Sequence, residues 1–379
     1  MGTLGVGPLK SVARSTDPCY VSPMSSTIFE QITPEGFEQI VFCSDPKVGL
    51  KAIISMHSTV LGPATGGCRM WAYKTEQEAL TDVLRLSRGM TYKNSLAGLD
   101  WGGGKAVIIG DAKTQKNPAM LKRYGEFVEK LNGNYITAKD VGIGSEDLAQ
   151  VKTKTRHVLG IEGEANSSGD PSPATALGVY HGMKAAAQHA FKTSSLKGVR
   201  VALQGLGSVS YYLLEHLAAE GAKVVGCDID QAVIDRAVKQ YGIEIVHPDA
   251  IYDVACDVFS PSALGATISA ATLPRIKAKV IAGAANNQLA TPEQGYEVMK
   301  RGMFYAPDYA INAGGVINIY HEGHNQGGYS KARAWEHIAK IGPTIAKILD
   351  RADAEKMPAH VVADRMAEER IESARASKK

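Results

Sequence analysis

The segment VRVALQGLGSVSYYLLEHLAAEG, residues 199–221, limits the fold more than any other part of the chain. An apolar run of strand type passes through a turn with two glycines into an apolar-faced helix, the pattern of a strand that feeds a helix in a parallel sheet. The same alternation continues on both sides. KVVGCD, CDVFSP and KVIAGAA follow as short apolar strands separated by helical stretches, and SPATALGVYHGMKAAAQHAF precedes as a helix of about five turns, with Ser172 suited to the N-cap and Pro173 to its first turn. Upstream, EQIVFC (38–43), LKAIISMH (50–57) and YITA read as strands. TEQEALTDVLRLSRGMTYK reads as a helix, and so does the stretch from Pro118 to Leu131, closed by Asn132 and Gly133. Short apolar strands alternating with helices predict an α/β protein with a parallel sheet covered on both faces.

The turn itself has a chemical reading. Gly205 suits a sharp turn, Gly207 lets backbone approach a ligand, and Leu206, Ser208, Val209, Ser210 and Tyr211 complete a loop whose amide groups open a helix. A dinucleotide pyrophosphate is bound in that setting. Ser210 stands where the fingerprint usually has Gly or Ala, and it is still small. Asp228 closes the next strand 23 residues after Gly205, placed to accept hydrogen bonds from the adenosine ribose and to repel a 2′-phosphate. NAD is therefore expected over NADP. The plain alternative, glycines serving only a strand-to-helix turn, leaves Asp228 unexplained.

With 379 residues and 44% hydrophobic content, the chain has material for two domains. A formal charge of +3 with interspersed signs gives no reason to expect nucleic acid or an anionic membrane as partner. Five scattered cysteines without C-x-x-C spacing argue against a disulfide framework or a zinc site and fit a reducing cytoplasm. Residues 1–26, rich in Gly, Ser and Pro, read as a disordered extension ahead of the first patterned segment. Met24 is a candidate start, and with only Lys10 and Arg14 basic a targeting peptide is the weaker reading.

A second constellation lies in YKNSLAGLDWGGGKAVIIGD, residues 92–111, where Lys93 and Lys105 flank a glycine triplet. It is not a phosphate loop: Leu99 replaces the first glycine of that motif, Ala106 replaces its hydroxyl residue, and Lys105 runs into a strand. Two ammonium groups beside bare backbone suit a free amino acid instead. One lysine can hold the α-carboxylate and the other can act as base, provided that desolvation and a neighbouring ammonium lower its pKa from the reference of about 10.4. Lys105 is the expected base. Asp140, on the loop after YITA, is placed to relay a proton, and Gly102 to Gly104 are expected to leave room for substrate. A single lysine is more often a solvated surface charge; the case rests on the set.

These motifs together carry a resemblance. LGPATGGCRMW, GMTYKNSLAG, GGGKAVIIGD, YITAKDVG, SGDPSPATALGV, QGLGSV, AGAANNQL and YAPDYAINAGGVIN, in this order from about residue 28 to 372, are similar to the amino-acid dehydrogenase superfamily of glutamate, leucine, phenylalanine and valine dehydrogenases, and most of all to its leucine-specific branch. The resemblance implies that Lys93 binds the substrate carboxylate, Lys105 is the base and Asp140 assists proton transfer. It puts Gly66 and Gly67 against the substrate and Asn286 at the nicotinamide end of NAD. Thr65, Gly66, Ala138, Val316 and Ile319 would form an aliphatic side-chain pocket with no cation for a second carboxylate. Thr65 departs from the Leu and Ile319 from the Val usual in that branch, and Lys139, where an acid is common, reads as surface.

The implied architecture has an N-terminal α/β catalytic domain at 27–160 and a Rossmann-type doubly wound NAD-binding domain at 161–340. The C-terminal helices, 341–379, return to the first domain in a homo-oligomer, with an octamer as one form. The implied reaction is reversible deamination of leucine, valine or isoleucine to the 2-oxo acid, ammonia and NADH. An enzyme for phenylalanine or tryptophan is the nearest alternative. A non-catalytic NAD-binding regulator is the alternative of a different kind, and retention of Lys93, Lys105 and Asp140 together speaks against it.

Overall fold

The computed structural model describes residues 28–378 apart from 34, 165 and 324–327, so the N-terminal extension lies outside the described residues. After a short helix α1 (Ile28–Ile32), the first half runs β1 (Gln39–Asp45), β2 (Leu50–Ser58), β3 (Ala64–Trp71), α2 (Glu76–Leu96), β4 (Gly102–Ile109), α3 (Pro118–Lys130), β5 (Tyr135–Lys139) and α4 (Ser145–Lys152). The second half opens with α5 (Ser172–Phe191), β6 (Arg200–Gln204), α6 (Ser208–Glu220), β7 (Lys223–Cys227), α7 (Gln231–Tyr241) and β8 (Glu244–Ile245). It continues with β9 (Val258–Pro261), β10 (Val280–Ile281), α8 (Pro292–Lys300), β11 (Phe304–Tyr305) and α9 (Asp308–Ile311). Four further helices, α10 (Gly314–Gly323), α11 (Lys331–Ala339), α12 (Ile341–Glu355) and α13 (Ala359–Ser377), end the chain.

Two sheets form. The first has strand order β1-β2-β4-β3-β5 and is mixed: β1 pairs antiparallel with β2 and β2 with β4, while β3 runs parallel to both β4 and β5. The expectation of parallel sheet throughout therefore fails for this half. The short link from β1 to β2 gives the reason, since parallel strands need a crossover of a dozen residues or more. The second sheet, β11-β10-β9-β6-β7-β8, is wholly parallel. Its order reverses between β6 and β9, the switch point at which doubly wound sheets bind ligands.

Local chemistry explains the helices that matter for the site. Thr75 caps α2 by accepting the Glu78 amide, with Glu76 and Glu78 in the first turn and Lys93 in the last, in keeping with the helix dipole. Asn117 caps α3 in the same way, with Pro118 opening the helix. Ser172 is the first residue of α5 instead of its cap; its amide and hydroxyl both bond Asp170 Oδ1. One core lies under the first sheet among Ile54, Met56, Ile108, Tyr124 and Tyr135. Separate cores cover the two faces of the second sheet, one around Val201, Leu203, Leu213 and Ile345, the other around Phe259, Ile268 and Ile281. The last helix, α13, meets α2: Arg370 donates to the Ser95 and Leu99 carbonyls, Tyr92 to Glu368, and Ser95 to the Ala367 carbonyl.

Candidate active site

The glycine triplet does a different job from the one its sequence suggests. Gly102, Gly103 and Gly104 are all buried, and a Cβ at Gly103 would stand 2.1 Å from the Thr91 amide nitrogen on α2. A Cβ at Gly104 would stand 2.8 Å from the Tyr135 ring. Protein, not ligand, fills the space. The missing side chain of Gly103 lets α2 lie directly on β4, which brings the helix carrying Lys93 against the strand carrying Lys105.

The two lysines and Asp140 do meet. Lys105, 8% exposed, forms an ion pair through Nζ with Asp140 Oδ2, and Arg69 Nε stands 3.5 Å from the same oxygen. Arg69 reaches across to α2 as well, donating to Asp82 Oδ2 at 2.9 Å. Burial pushes the Asp140 carboxyl up, but the charges of Lys105 and Arg69 and the Val141 amide outweigh it and hold the group below the usual carboxylate range. Gly67 makes this approach feasible, since a Cβ there would lie 3.0 Å from Asp140 Cβ. Thr65 and Gly67 pair with Ile136 and Ala138 of β5 on one side, and Thr65 pairs with Gly103 of β4 on the other. Gly66 packs on the Gly104 carbonyl beside Met90.

The strongly perturbed lysine is Lys93. Burial lowers its pKa to about 8, with Asp308 pulling it up and the Lys105 charge pushing it down. Desolvation and a neighbouring ammonium therefore both act on Lys93. Its Nζ lies 3.4 Å from Asn286 Oδ1, and the same oxygen accepts from Asn312 Nδ2 at 2.7 Å. The second half of the chain thus reaches into the lysine cluster. Asp308, also beside Lys93, has its carboxyl raised by burial, although the Asn287 amide and the Lys93 charge oppose that shift.

Arg69, Asp308 and Asn312 were not singled out from sequence. The signal was present, since all three sit inside LGPATGGCRMW and YAPDYAINAGGVIN, and a charge in a strand as apolar as β3 needs a partner. Lys139, read as a surface residue, is half-buried and paired with Glu162. Val316 and Ile319 lie on α10, half-buried, against the core of the second half.

At the switch point, Gly205 has φ +93°, and a Cβ there would stand 2.8 Å from the Ala263 side chain. Gly207 opens α6 with nothing within 4 Å of a Cβ position, and α6 has no side-chain cap. Asp228 braces the turn: Oδ2 accepts the Leu206 amide at 2.7 Å, and Oδ1 accepts the amides of Ile229 and Asp230 at 2.7 and 3.0 Å. Ser208, Val209 and Ser210 form the first turn of α6, with Ser210 buried. Tyr211 turns its ring away to α7, where Arg236 stacks on it at 4.1 Å and its hydroxyl bonds Gln240.

Both halves match known proteins. A family model described as Glu/Leu/Phe/Val dehydrogenase, dimerisation domain, matches residues 37–157, and one described as Glutamate/Leucine/Phenylalanine/Valine dehydrogenase matches 167–245 and 229–378. The chain belongs to the glutamate/leucine/phenylalanine/valine dehydrogenase family. It is 52% identical over 348 residues to the leucine dehydrogenase of Geobacillus stearothermophilus, covering 92% of this chain and 94% of that one. The leucine dehydrogenase of Thermoactinomyces intermedius is likewise 52% identical over 348 residues, 92% of this chain and 94% of the other. Among solved structures, the L-tryptophan dehydrogenase of Nostoc punctiforme superposes with a TM-score of 0.82 at 39% identity, covering 92% of this chain and all (100%) of that one.

Family membership makes this chain an NAD-dependent amino-acid dehydrogenase. Its residues fit the cofactor: an uncapped helix of 13 residues opens at Gly207 with open space in front, and a carboxylate stands beside the turn. A carboxylate has about four acceptor positions, and the three backbone amides leave Asp228 one for a ribose hydroxyl. Among the described residues no group of three His, Cys, Asp or Glu side chains could hold a metal ion, and no helix is long and apolar enough to cross a membrane.

Proposed function

We propose that this dehydrogenase deaminates branched-chain L-amino acids, leucine with valine and isoleucine, reversibly to the 2-oxo acids. The observation that carries the reading is the pair of lysines held on α2 and β4, one partly desolvated, around a carboxylate kept ionised. The identity of 52% to two leucine dehydrogenases supports the side-chain class. A pocket of Thr65, Gly66, Ala138, Val316 and Ile319 contains no cation, so nothing in it would pair with a second substrate carboxylate.

In this reading the Lys93 ammonium holds the α-carboxylate. The substrate ammonium gives up a proton to solvent before hydride leaves Cα, and NAD, when bound, would accept that hydride. Lys105 then takes a proton from the water that attacks the imine carbon, and Asp140 passes it to the departing amine. Arg69 keeps Asp140 anionic and aimed at Lys105. Asn286 and Asn312 tie Lys93 to the half that carries the nicotinamide end. The dehydrogenase works as a homo-oligomer. The open edge of β1, with Phe42 55% exposed, supports self-association. Light scattering on the purified protein gives the subunit number.

The deciding experiment screens NADH formation across all the standard L-amino acids. Turnover led by leucine, isoleucine or valine is expected. Turnover confined to phenylalanine or tryptophan would replace the substrate assignment, and no turnover at all would sink the enzymatic reading.

A further inference from the structure

The chain crosses from the first half to the second through residues 159–172, and that crossing is fastened in an unusual way. Leu159 leans on the core of the second half, Ile161 is inserted into the core under the first sheet, and Gly160 between them has φ +79°. The Gly160 amide donates to Glu322 Oε2 at 2.9 Å. The Ser168 amide and hydroxyl both donate to Glu322 Oε1, at 2.6 and 2.5 Å, and Asn318 Nδ2 donates to the Ser168 carbonyl at 3.2 Å. A single carboxylate thus holds both ends of the span 160–168. Glu322 lies in the last turn of α10, where the helix dipole disfavours an acid. Its place is not explained by helix stability, and the three donors supply what the helix does not.

The fastening bears on the pocket. Ile319 sits three residues before Glu322, hence on a neighbouring position of the same helix face. Its Cδ1 lies 3.6 Å from where a Cβ of Gly160 would stand. The middle of the span is tied to the first half instead, through Glu162 with Lys139 and the Ser145 hydroxyl, and through Glu164 with Lys152. We propose that Glu322 is a positioning residue for substrate selection: by fixing Gly160 and Ser168 to α10 it fixes the wall behind Ile319, and so the depth available to the substrate side chain. This rests on the reading that Ile319 lines that pocket. Without Glu322 the span stays attached to the first half and drifts relative to α10.

The test compares kcat and KM for leucine, isoleucine, valine and phenylalanine in the wild type, Glu322→Ala, Glu322→Gln and Ser168→Ala, with NAD affinity measured by calorimetry. In Glu322→Ala the leucine-to-valine ratio of kcat/KM should shift by about fivefold or more, mostly through KM, a part of what a whole methylene commands in such a pocket. NAD affinity should stay unchanged. Glu322→Gln keeps one oxygen for Ser168 but turns an amide NH2 toward Gly160, so its ratio should fall between the two. An equal loss of kcat on every substrate with the ratio unchanged would reduce Glu322 to a structural role and overturn the proposal, as would lost NAD binding that accounts for the lost activity. Should the alanine variant fail to fold, an unchanged ratio in both Glu322→Gln and Ser168→Ala overturns it equally. If the wild type prefers another class of side chain, the branched-chain reading fails alone, and the ratio is then read on the series that the wild type accepts.

Discussion

The lysine cluster and the glycine turn solve opposite problems with opposite materials. Around Lys105 the groups are side-chain charges, Asp140, Arg69, Lys93 and Asp308, crowded together, so that Lys105 and Arg69 lower the Asp140 carboxyl while Asp308 and Lys105 act in opposite directions on Lys93. At Gly205 to Gly207 the groups on offer are backbone amides at a helix start, and Asp228 beside them already accepts the Leu206 amide of that turn and the Ile229 and Asp230 amides of its own loop. The first region is sensitive to which side chains are present. The second is sensitive to which are absent. Proton chemistry needs the former, because only titratable groups move protons; holding a pyrophosphate needs only the latter.

The contrast is sharpest in Lys105→Ala. Deamination should fall by about 10²–10⁴-fold in kcat, the usual weight of a positioned acid or base, while NAD affinity stays unchanged because the turn is built from other residues. Near-normal kcat would remove Lys105 from the chemistry. Lys93→Ala comes next. Losing one charge-assisted contact of about 1.5–3 kcal/mol should raise KM for the amino acid by about 10- to 100-fold, with kcat less affected. An unchanged KM would show that the carboxylate lies elsewhere.

Asp228→Ser should have a smaller and mixed effect on kcat/KM. The NAD-to-NADP ratio should narrow as the repulsion of a 2′-phosphate disappears, but NAD use should also weaken, since the amides of Leu206, Ile229 and Asp230 lose their acceptor. NADP should not become the better cofactor, because Arg236 is engaged on the Tyr211 ring. Equal use of both cofactors by the wild type would contradict the placement of Asp228. The mildest test varies only pH. Lys93, with its pKa lowered to about 8, carries its charge below that pH and loses it above. Isocaproate, a carboxylate with no amine to titrate, should therefore bind well at neutral pH and progressively worse above pH 8 as measured by competitive inhibition; a flat profile would detach the carboxylate site from Lys93.

How much of this could be read beforehand differs between the two regions for the same physical reason. Backbone motifs are local, so QGLGSVS and Asp228 announced the strand-to-helix turn and the carboxylate beside it within 24 residues. The parallel sheet of the second half followed from the same local alternation. The lysine cluster is assembled from β3, β4, α2, the loop after β5 and the start of α9, and spacing along the chain does not say that Arg69 and Asp308 join it. Lys93, Lys105 and Asp140 were legible because they lie in long motifs. The lowered pKa of Lys93 was not, since that depends on burial between elements. The glycine triplet misled for a related reason: a missing side chain looks alike whether ligand or protein occupies the space, and here it is the Ser58 carbonyl at Gly102, Thr91 of α2 at Gly103 and the Tyr135 ring at Gly104. Antiparallel β1 and β2 could have been foreseen from the short link that joins them.

One residue beside that triplet has an optical consequence. Trp101 is fully buried among the residues of the second half, and its ring meets Tyr320 of α10 edge-on, with centroids 4.9 Å apart. The indole therefore lies by sequence immediately before the strand that carries Lys105 and by contact against the helix that carries Ile319. Of the chain's other two tryptophans, Trp71 is 55% exposed and Trp335 lies half-buried on α11 under the Lys331 ammonium, so comparison with a Trp101→Phe variant isolates the emission that Trp101 contributes. The protein thus carries a built-in fluorophore at the seam between its two bodies, readable in real time without a label.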